Sequence, residues 1–178
     1  MNTNYPSRFI HTTNYSQEIA DVLQSLFVME IIQPSRCLWI VSPWISDIPI
    51  INNEANQFLT IEPHWARKKV TFSEVLAKLV ENGTVIRLAT RPDPHNNRFL
   101  EKLKAATKEC EDRVHIYSRS LLHSKGLLGD HFYLSGSMNF TFNGISVNEE
   151  SVQLITDPQD ISQNRIEFAN RWGDEHLV

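Results

Sequence analysis

A surplus of positive charge is missing from this sequence. Its 17 lysine and arginine residues are outnumbered by 21 aspartate and glutamate residues, for a formal net charge of −4. A chain balanced in this way does not hold a polyanion by its general field, so any phosphate it binds must be held by a local cluster. Cysteine is scarce as well. Cys37 and Cys110 have no metal-ligand spacing; one disulfide is formally open to them, but they read as two buried free thiols in a reducing compartment. No apolar run approaches the ~20 residues that span a bilayer. Met1-Asn2-Thr3-Asn4-Tyr5-Pro6 has neither the basic nor the apolar part of a secretion leader. Repeats and low-complexity stretches are absent. These absences lead to the expectation of a soluble, cytoplasmic protein with no membrane association. Its 178 residues, 41% of them hydrophobic, suffice for one domain over 1–178 and are too few for two.

What is present alternates between two periodicities. Ile19, Leu23, Leu26 and Phe27 recur at helical spacing behind Ser16, which reads as an N-cap. Cys37-Leu38-Trp39-Ile40-Val41 is a short continuous apolar run, as in a strand buried on both faces. Residues 48–66 are irregular and read as a loop insertion. A second helix is predicted from Thr71 or Ser73 to Val80, with Phe72, Val75, Leu76 and Leu79 on one face and Asn82-Gly83 as its stop. Strands over 85–89 and 114–117 bracket a third helix over 97–109. Two further strands, 121–128 and 131–136, are predicted to join in a hairpin at Gly129-Asp130. A strand over 150–155 and a helix opening at Pro158 and running through Ile161, Ile166, Phe168 and Trp172 close the chain. Helices alternating with strands, followed by a hairpin, give an α/β sandwich with a mixed β-sheet flanked by helices.

The chemistry is concentrated in Leu121-Leu122-His123-Ser124-Lys125-Gly126-Leu127-Leu128-Gly129-Asp130 and Ser135-Gly136-Ser137-Met138-Asn139. If 121–128 is a strand, His123 and Lys125 project together from one face. Ser137 and Asn139 have the same spacing, so a hairpin brings all four polar groups to one end of the sheet. An imidazole beside an ammonium group and small donors suits a phosphate: the imidazole can attack phosphorus, and the others can hold anionic oxygens. Glu150 is preferred to Glu149 as an accompanying carboxylate, because Val152 and Leu154 share its parity.

At these residues the sequence is similar to the signature of the phospholipase D superfamily. The matching pattern is His123-x-Lys125-x4-Asp130, then Gly136-Ser137-x-Asn139, with Asn148-x-Glu150 at the acidic position that follows. Residues 39–47 resemble the family's first strand and loop. Asp130 and Gly136 are separated by one residue fewer than is usual. The resemblance implies a two-step displacement in which one histidine forms a phosphohistidine and a second protonates the leaving oxygen, with water hydrolysing the intermediate and no metal or other cofactor taking part. Family enzymes use two copies of the motif and this chain has one. The implied protein is therefore a homodimer whose twofold axis supplies the second copy. Lys125, Ser137 and Asn139 would stabilise transition-state charge, Glu150 would orient His123, and Asp130 and Gly136 would support the fold of the motif.

The implied substrate is nucleic acid, DNA or RNA, cut by a nuclease-type phosphodiesterase. Two other readings stay open: a non-catalytic phosphate- or nucleic-acid-binding subunit, and a phospholipase or phosphatidyl transferase. The resemblance extends to small proteins of bacterial restriction and defence clusters, including those handling 7-deazaguanine-modified DNA, where partner proteins would deliver the substrate. Arg91 and Arg98, flanking a Pro/Asn loop after a strand, are candidates for lining the cleft, and Trp44 reads as a base-stacking residue or as a core or interface tryptophan. Arg67-Lys68-Lys69 reads as a phosphate contact or a solvated helix start. Phe140 and Phe142 read as core, and His131 as a surface or turn histidine with no third metal ligand at sensible spacing.

Overall fold

In the computed structural model, residues 7–11 and 17–172 are described. The elements are β1 (Arg8–His11), α1 (Glu18–Ile32), β2 (Cys37–Val41), β3 (Pro49–Asn52), β4 (Lys69–Thr71), α2 (Phe72–Glu81), β5 (Val85–Thr90), α3 (Pro94–Ala106), β6 (Val114–Ser118), β7 (Gly126–Leu128), β8 (Tyr133–Gly136), α4 (Phe142–Ser146), β9 (Ser151–Ile155) and α5 (Pro158–Trp172). Short 3₁₀ turns lie at Pro63–Trp65 and Lys108–Arg113. Ser16, the expected cap of α1, falls outside the described residues, and Gln17 occupies the cap position without a side-chain bond.

Seven strands form one mixed sheet in the order β1-β9-β8-β7-β2-β5-β6. β2, β5 and β6 run parallel, and their crossovers carry α2 and α3. From β2 outward through β7, β8, β9 and β1 every pairing is antiparallel. Both faces are covered, which is why β2 reads as continuous apolar sequence rather than an alternation. Leu38 and Ile40 enter a core shared with Leu23, Phe27, Phe72, Leu76, Phe99 and Leu103 of α1, α2 and α3. Trp39 and Val41 point the other way, into a second core with Tyr117, Leu122 and the α5 residues Ile161, Phe168 and Trp172. This is the expected α/β sandwich with a mixed sheet flanked by helices.

Three stretches differ from the sequence expectation. Residues 48–66 are structured: β3 pairs with β4 in a second small sheet, with Ile50, Ile51 and Val70 buried, and Trp65 is buried in the main core. Buried Asn53 closes the loop between them by donating from Nδ2 to Trp65 O (2.8 Å) and accepting from Phe58 N (2.8 Å). α3 starts at Pro94, three residues earlier than expected. Asp93 is its N-cap, accepting from His95 N, and Pro94 sits in the first turn, where a missing N–H costs nothing. The strand expected over 121–128 is paired only at Gly126–Leu128. Its ladder partner β2 ends at Val41, opposite Gly126, and the chain then turns through Ser42-Pro43, so residues 121–125 have no strand beside them on that side.

Candidate active site

One edge of the sheet collects the chemistry-bearing segments. β2 and β5 both end there. β7 begins there, at Gly126 opposite Val41, β8 ends there, and β9 begins there, with Gly136 opposite Val152. The sequence-predicted residues Trp44, Arg91, His123, Lys125, Ser137, Asn139 and Glu150 are therefore all delivered to the edge beyond the carboxyl ends of β2 and β5, where open α/β sheets place their ligands.

Each is fixed by neighbouring packing. Leu122 is buried under α5 and holds the segment that carries His123, whose side chain is exposed. Leu122 O also accepts from Arg91 Nε at 2.6 Å. His123 lies in an open cleft of ≈ 430 Å³ whose lining includes Arg119 and Arg171. Neither arginine was singled out in the sequence. Arg119 stands four residues before His123, while Arg171 arrives on α5 from the far end of the chain.

Lys125 is half-buried and donates to His123 O at 2.6 Å. Desolvation pulls its pKa below the ordinary lysine value; the Glu150 carboxylate opposes that shift and Arg91 adds to it. Glu150 is buried, whereas Glu149 is exposed, as the parity of β9 predicted. The Ser137 hydroxyl donates to Glu150 Oε2 and accepts from Ser151 N at 3.0 Å. Asn148 Nδ2 approaches Glu150 Oε1 at 3.4 Å. The carboxylate expected to orient His123 is thus engaged by Ser137 and Asn148, with Lys125 in its field.

Gly136 of β8 lies against the backbone of β9. A Cβ there would stand 2.1 Å from Ser151 O and 2.8 Å from Val152 Cα, so only glycine lets Ser137 reach Glu150. Asn139 is half-buried, with Oδ1 3.5 Å from Ser42 Oγ. It lines a second cleft, of ≈ 400 Å³, together with Trp44, Ser46, His95, Thr141, Phe142 and Asn143. Phe142, expected in the core, is 60% exposed. The chain passes from extended to helical at the start of α4, so Phe142 does not inherit the inward direction of Phe140, which is buried.

Asn96 organises this side and was not anticipated. Fully buried, it accepts from Ile45 N at 2.8 Å, and its Nδ2 lies 3.0 Å from Pro43 O, 2.9 Å from Thr90 Oγ1 and 3.0 Å from Arg91 O. It ties the loop leaving β2 to the loop leaving β5. Arg91 then stacks its guanidinium over the Trp44 ring, 4.9 Å from the centroid, and Trp44 Nε1 donates to Asp93 Oδ2 at 3.2 Å.

Other candidates lie elsewhere. Asp130 is at the opposite end of β7, where it accepts from Arg36 N (2.9 Å) and pairs with Arg165 Nη1 (2.6 Å). Burial opposes its ionisation, but these donors outweigh burial and hold its pKa below the usual aspartate value. Arg98 is exposed on α3 and lines neither cleft. Lys68 and Lys69 pair with Glu74 and Glu54. His131 is bonded to Gln33 at 3.2 Å. Cys37 and Cys110 are free thiols. Among the described residues no helix is long and apolar enough to cross a membrane, and no group of three or more His, Cys, Asp or Glu side chains could hold a metal ion.

A mixed sheet with helices on both faces and a His-x-Lys/Ser-x-Asn cluster at one edge define a phospholipase D-like domain. The family model for the cardiolipin synthase, PLD-like domain matches residues 48–172, and the chain belongs to that phospholipase D-like family. The fold is similar to that of a phospholipase D family member, Nuc, from Salmonella typhimurium, with a TM-score of 0.63 at 12% identity over 95% of each chain. NucT from Helicobacter pylori superimposes with a TM-score of 0.62 at 13% identity, over 94% of this chain and 95% of that one. Phosphatidylserine synthase from Haemophilus influenzae gives a TM-score of 0.57 at 17% identity, but this chain covers only 37% of it. No curated protein matches the sequence.

Proposed function

We propose that the protein is a metal-independent phosphodiesterase that cuts DNA or RNA through a phosphohistidine, in a site completed by a second copy of the chain. The observation that carries this reading is electrostatic. In a chain of net charge −4, an exposed imidazole lies in a cleft with two arginines and beside Lys125 and Arg91. That is the local cluster a phosphodiester requires.

In the proposed reaction, a ring nitrogen of His123 attacks phosphorus and a P–N bond forms as the P–O bond to the leaving group breaks. The leaving oxygen takes a proton from His123 of the second copy. That second imidazole, now neutral, removes a proton from water, whose oxygen attacks phosphorus and releases His123. Two imidazoles at one phosphate titrate as a coupled pair, so one can be neutral while the other is protonated. Lys125, Ser137 and Asn139 neutralise the charge that builds on the non-bridging oxygens. Glu150 acts through Ser137, holding that hydroxyl in place, and its charge offsets that of Lys125. The chain carries one copy of the motif, and an isologous dimer supplies the second histidine.

The test is cleavage of labelled single-stranded DNA, duplex DNA, RNA and a phosphatidyl ester in EDTA, beside His123→Ala. Nucleic-acid cleavage lost in the variant supports the proposal. Turnover of the ester alone, binding without turnover, or activity abolished by EDTA would overturn it. Light scattering should give about twice the 20.6 kDa chain mass.

A further inference from the structure

The cleft on the Asn139 side has a character that phosphate chemistry alone does not explain. It is lined by two aromatic side chains, Trp44 and Phe142, with His95 and Thr141 between the chain segments that carry them. Phe142 is largely exposed, and Trp44 is half-buried. A phenyl ring left 60% in water at the start of a five-residue helix contributes little to the core, which makes its position beside a candidate site notable. The indole is held in a defined orientation rather than packed by default. Arg91 covers one face at 4.9 Å, Asp93 takes its N–H, and buried Asn96 fixes both supporting loops. Trp44, so held, is part of the cleft wall. Ser46 and His95, bonded to each other at 2.9 Å, supply polar groups at its wall.

We infer that this cleft receives an unpaired nucleobase adjacent to the scissile phosphate, so that the substrate is single-stranded nucleic acid. This inference rests on the phosphodiesterase reading and specifies its substrate. At ≈ 400 Å³ the cleft falls within the range of small-ligand sites, about 300–1,000 Å³. Aromatic faces recognise any base by stacking but cannot reach one that is paired within a duplex. The cation over the indole, Arg91, also donates to Leu122 O beside His123 at 2.6 Å, so one side chain links the two clefts. The basic cleft around His123 then follows the strand's backbone away from the base. Asn139 lines the aromatic cleft and His123 the basic one, so the motif borders both.

The experiment measures binding in a His123→Ala background, where cleavage is stopped. Fluorescence anisotropy compares a labelled single-stranded oligonucleotide with the same strand carrying abasic residues, which has the same phosphate charge. The base-bearing strand should bind about tenfold tighter, equivalent to ~1.4 kcal/mol, as stacking of a base on an aromatic side chain supplies. Adding Trp44→Ala or Phe142→Ala should bring that ratio toward one, and Trp44→Phe should retain most of it. Phe142 is surface-exposed, so its variant keeps the test valid if the Trp44 variant folds poorly, as judged by circular dichroism. Equal affinity for the two strands in the parent, or a preference unchanged by both alanine variants, overturns the subsite. If neither strand binds and the parent enzyme cuts no nucleic acid, the phosphodiesterase reading falls with it. Cleavage without base preference sinks the subsite alone.

Discussion

Asp130 belongs to the same signature as His123 and Lys125, yet the structure places it at the far end of β7, and this separation can be tested. Replacing it with asparagine preserves its size and its ability to accept from Arg36 N, but removes the charge that pairs with Arg165. The pair is only partly solvated, the Asp130 and Arg165 side chains being 16% and 29% exposed. Loss of one partner leaves the Arg165 guanidinium, held on α5 against the β7–β8 turn, without its counter-charge. A hydrogen bond to a charged group contributes roughly 1.5–3 kcal/mol, and breaking a buried pair costs roughly 3–5 kcal/mol. For this half-screened pair, about 2–4 kcal/mol is expected. In a domain of this size each kcal/mol moves the midpoint by about 2–4 °C, so thermal unfolding should drop by roughly 5–15 °C.

The pH dependence has a definite sign. The folded-state pKa of Asp130 is lowered, so its contribution is fully present above the unfolded-state value near 4 and is lost as pH falls through that value toward the folded one. The stability gap between wild type and variant should be flat from about pH 5 to 8 and close below about pH 4. Turnover per folded molecule should stay close to wild type. A variant that melts like wild type but has lost turnover would refute the structural assignment and move Asp130 into the chemistry.

Three further outcomes follow from the geometry. Gly136→Ala, whose new Cβ would meet backbone atoms of β9, should cost at least about 3 kcal/mol and abolish activity by separating Ser137 from Glu150; denaturant unfolding and an activity assay check both. Asn96→Ala strands the buried Ile45 N–H and removes a donor from Arg91 O and from Pro43 O, the latter keeping Thr90 Oγ1. It should destabilise by roughly 3 kcal/mol and lower activity through Arg91 and Trp44, an effect visible as a raised KM at temperatures where the variant is fully folded. The depressed pKa of Lys125 means that its ammonium form is lost, as pH rises, earlier than an ordinary lysine's would be. The ratio kcat/KM should therefore fall along an alkaline limb below pH 10.5, and Lys125→Arg, which keeps its charge, should remove that limb.

Much of this protein was legible along the chain because the relevant physics is local. The apolar run 37–41 announced a strand covered on both faces, the Phe72/Val75/Leu76/Leu79 spacing announced α2, and the parity of β9 chose Glu150 over Glu149. Parity failed where the chain changed its period. Phe142 reads as core beside Phe140, but a helix starts at it and turns it outward. His123 and Lys125 were given a strand face, although the ladder that would fix it stops at Gly126, where β2 ends. The local irregularity of 48–66 concealed β3 because its partner β4 begins seventeen residues after β3 ends, and pairing at that distance leaves no local pattern.

The sequence alone determined which side chains could do phosphate chemistry and that they would sit on an α/β sandwich, because residue type, spacing and hydrophobic period are properties of neighbours along the chain. The tertiary structure decided which of them meet. It sent Asp130 to the opposite end of β7, turned Glu150 toward Ser137, brought Arg171 from the last helix to His123, and used Asn96 to join the loops that carry Trp44 and Arg91. Those outcomes depend on strand order and on where each strand ends, and only long-range packing of the whole sheet fixes these.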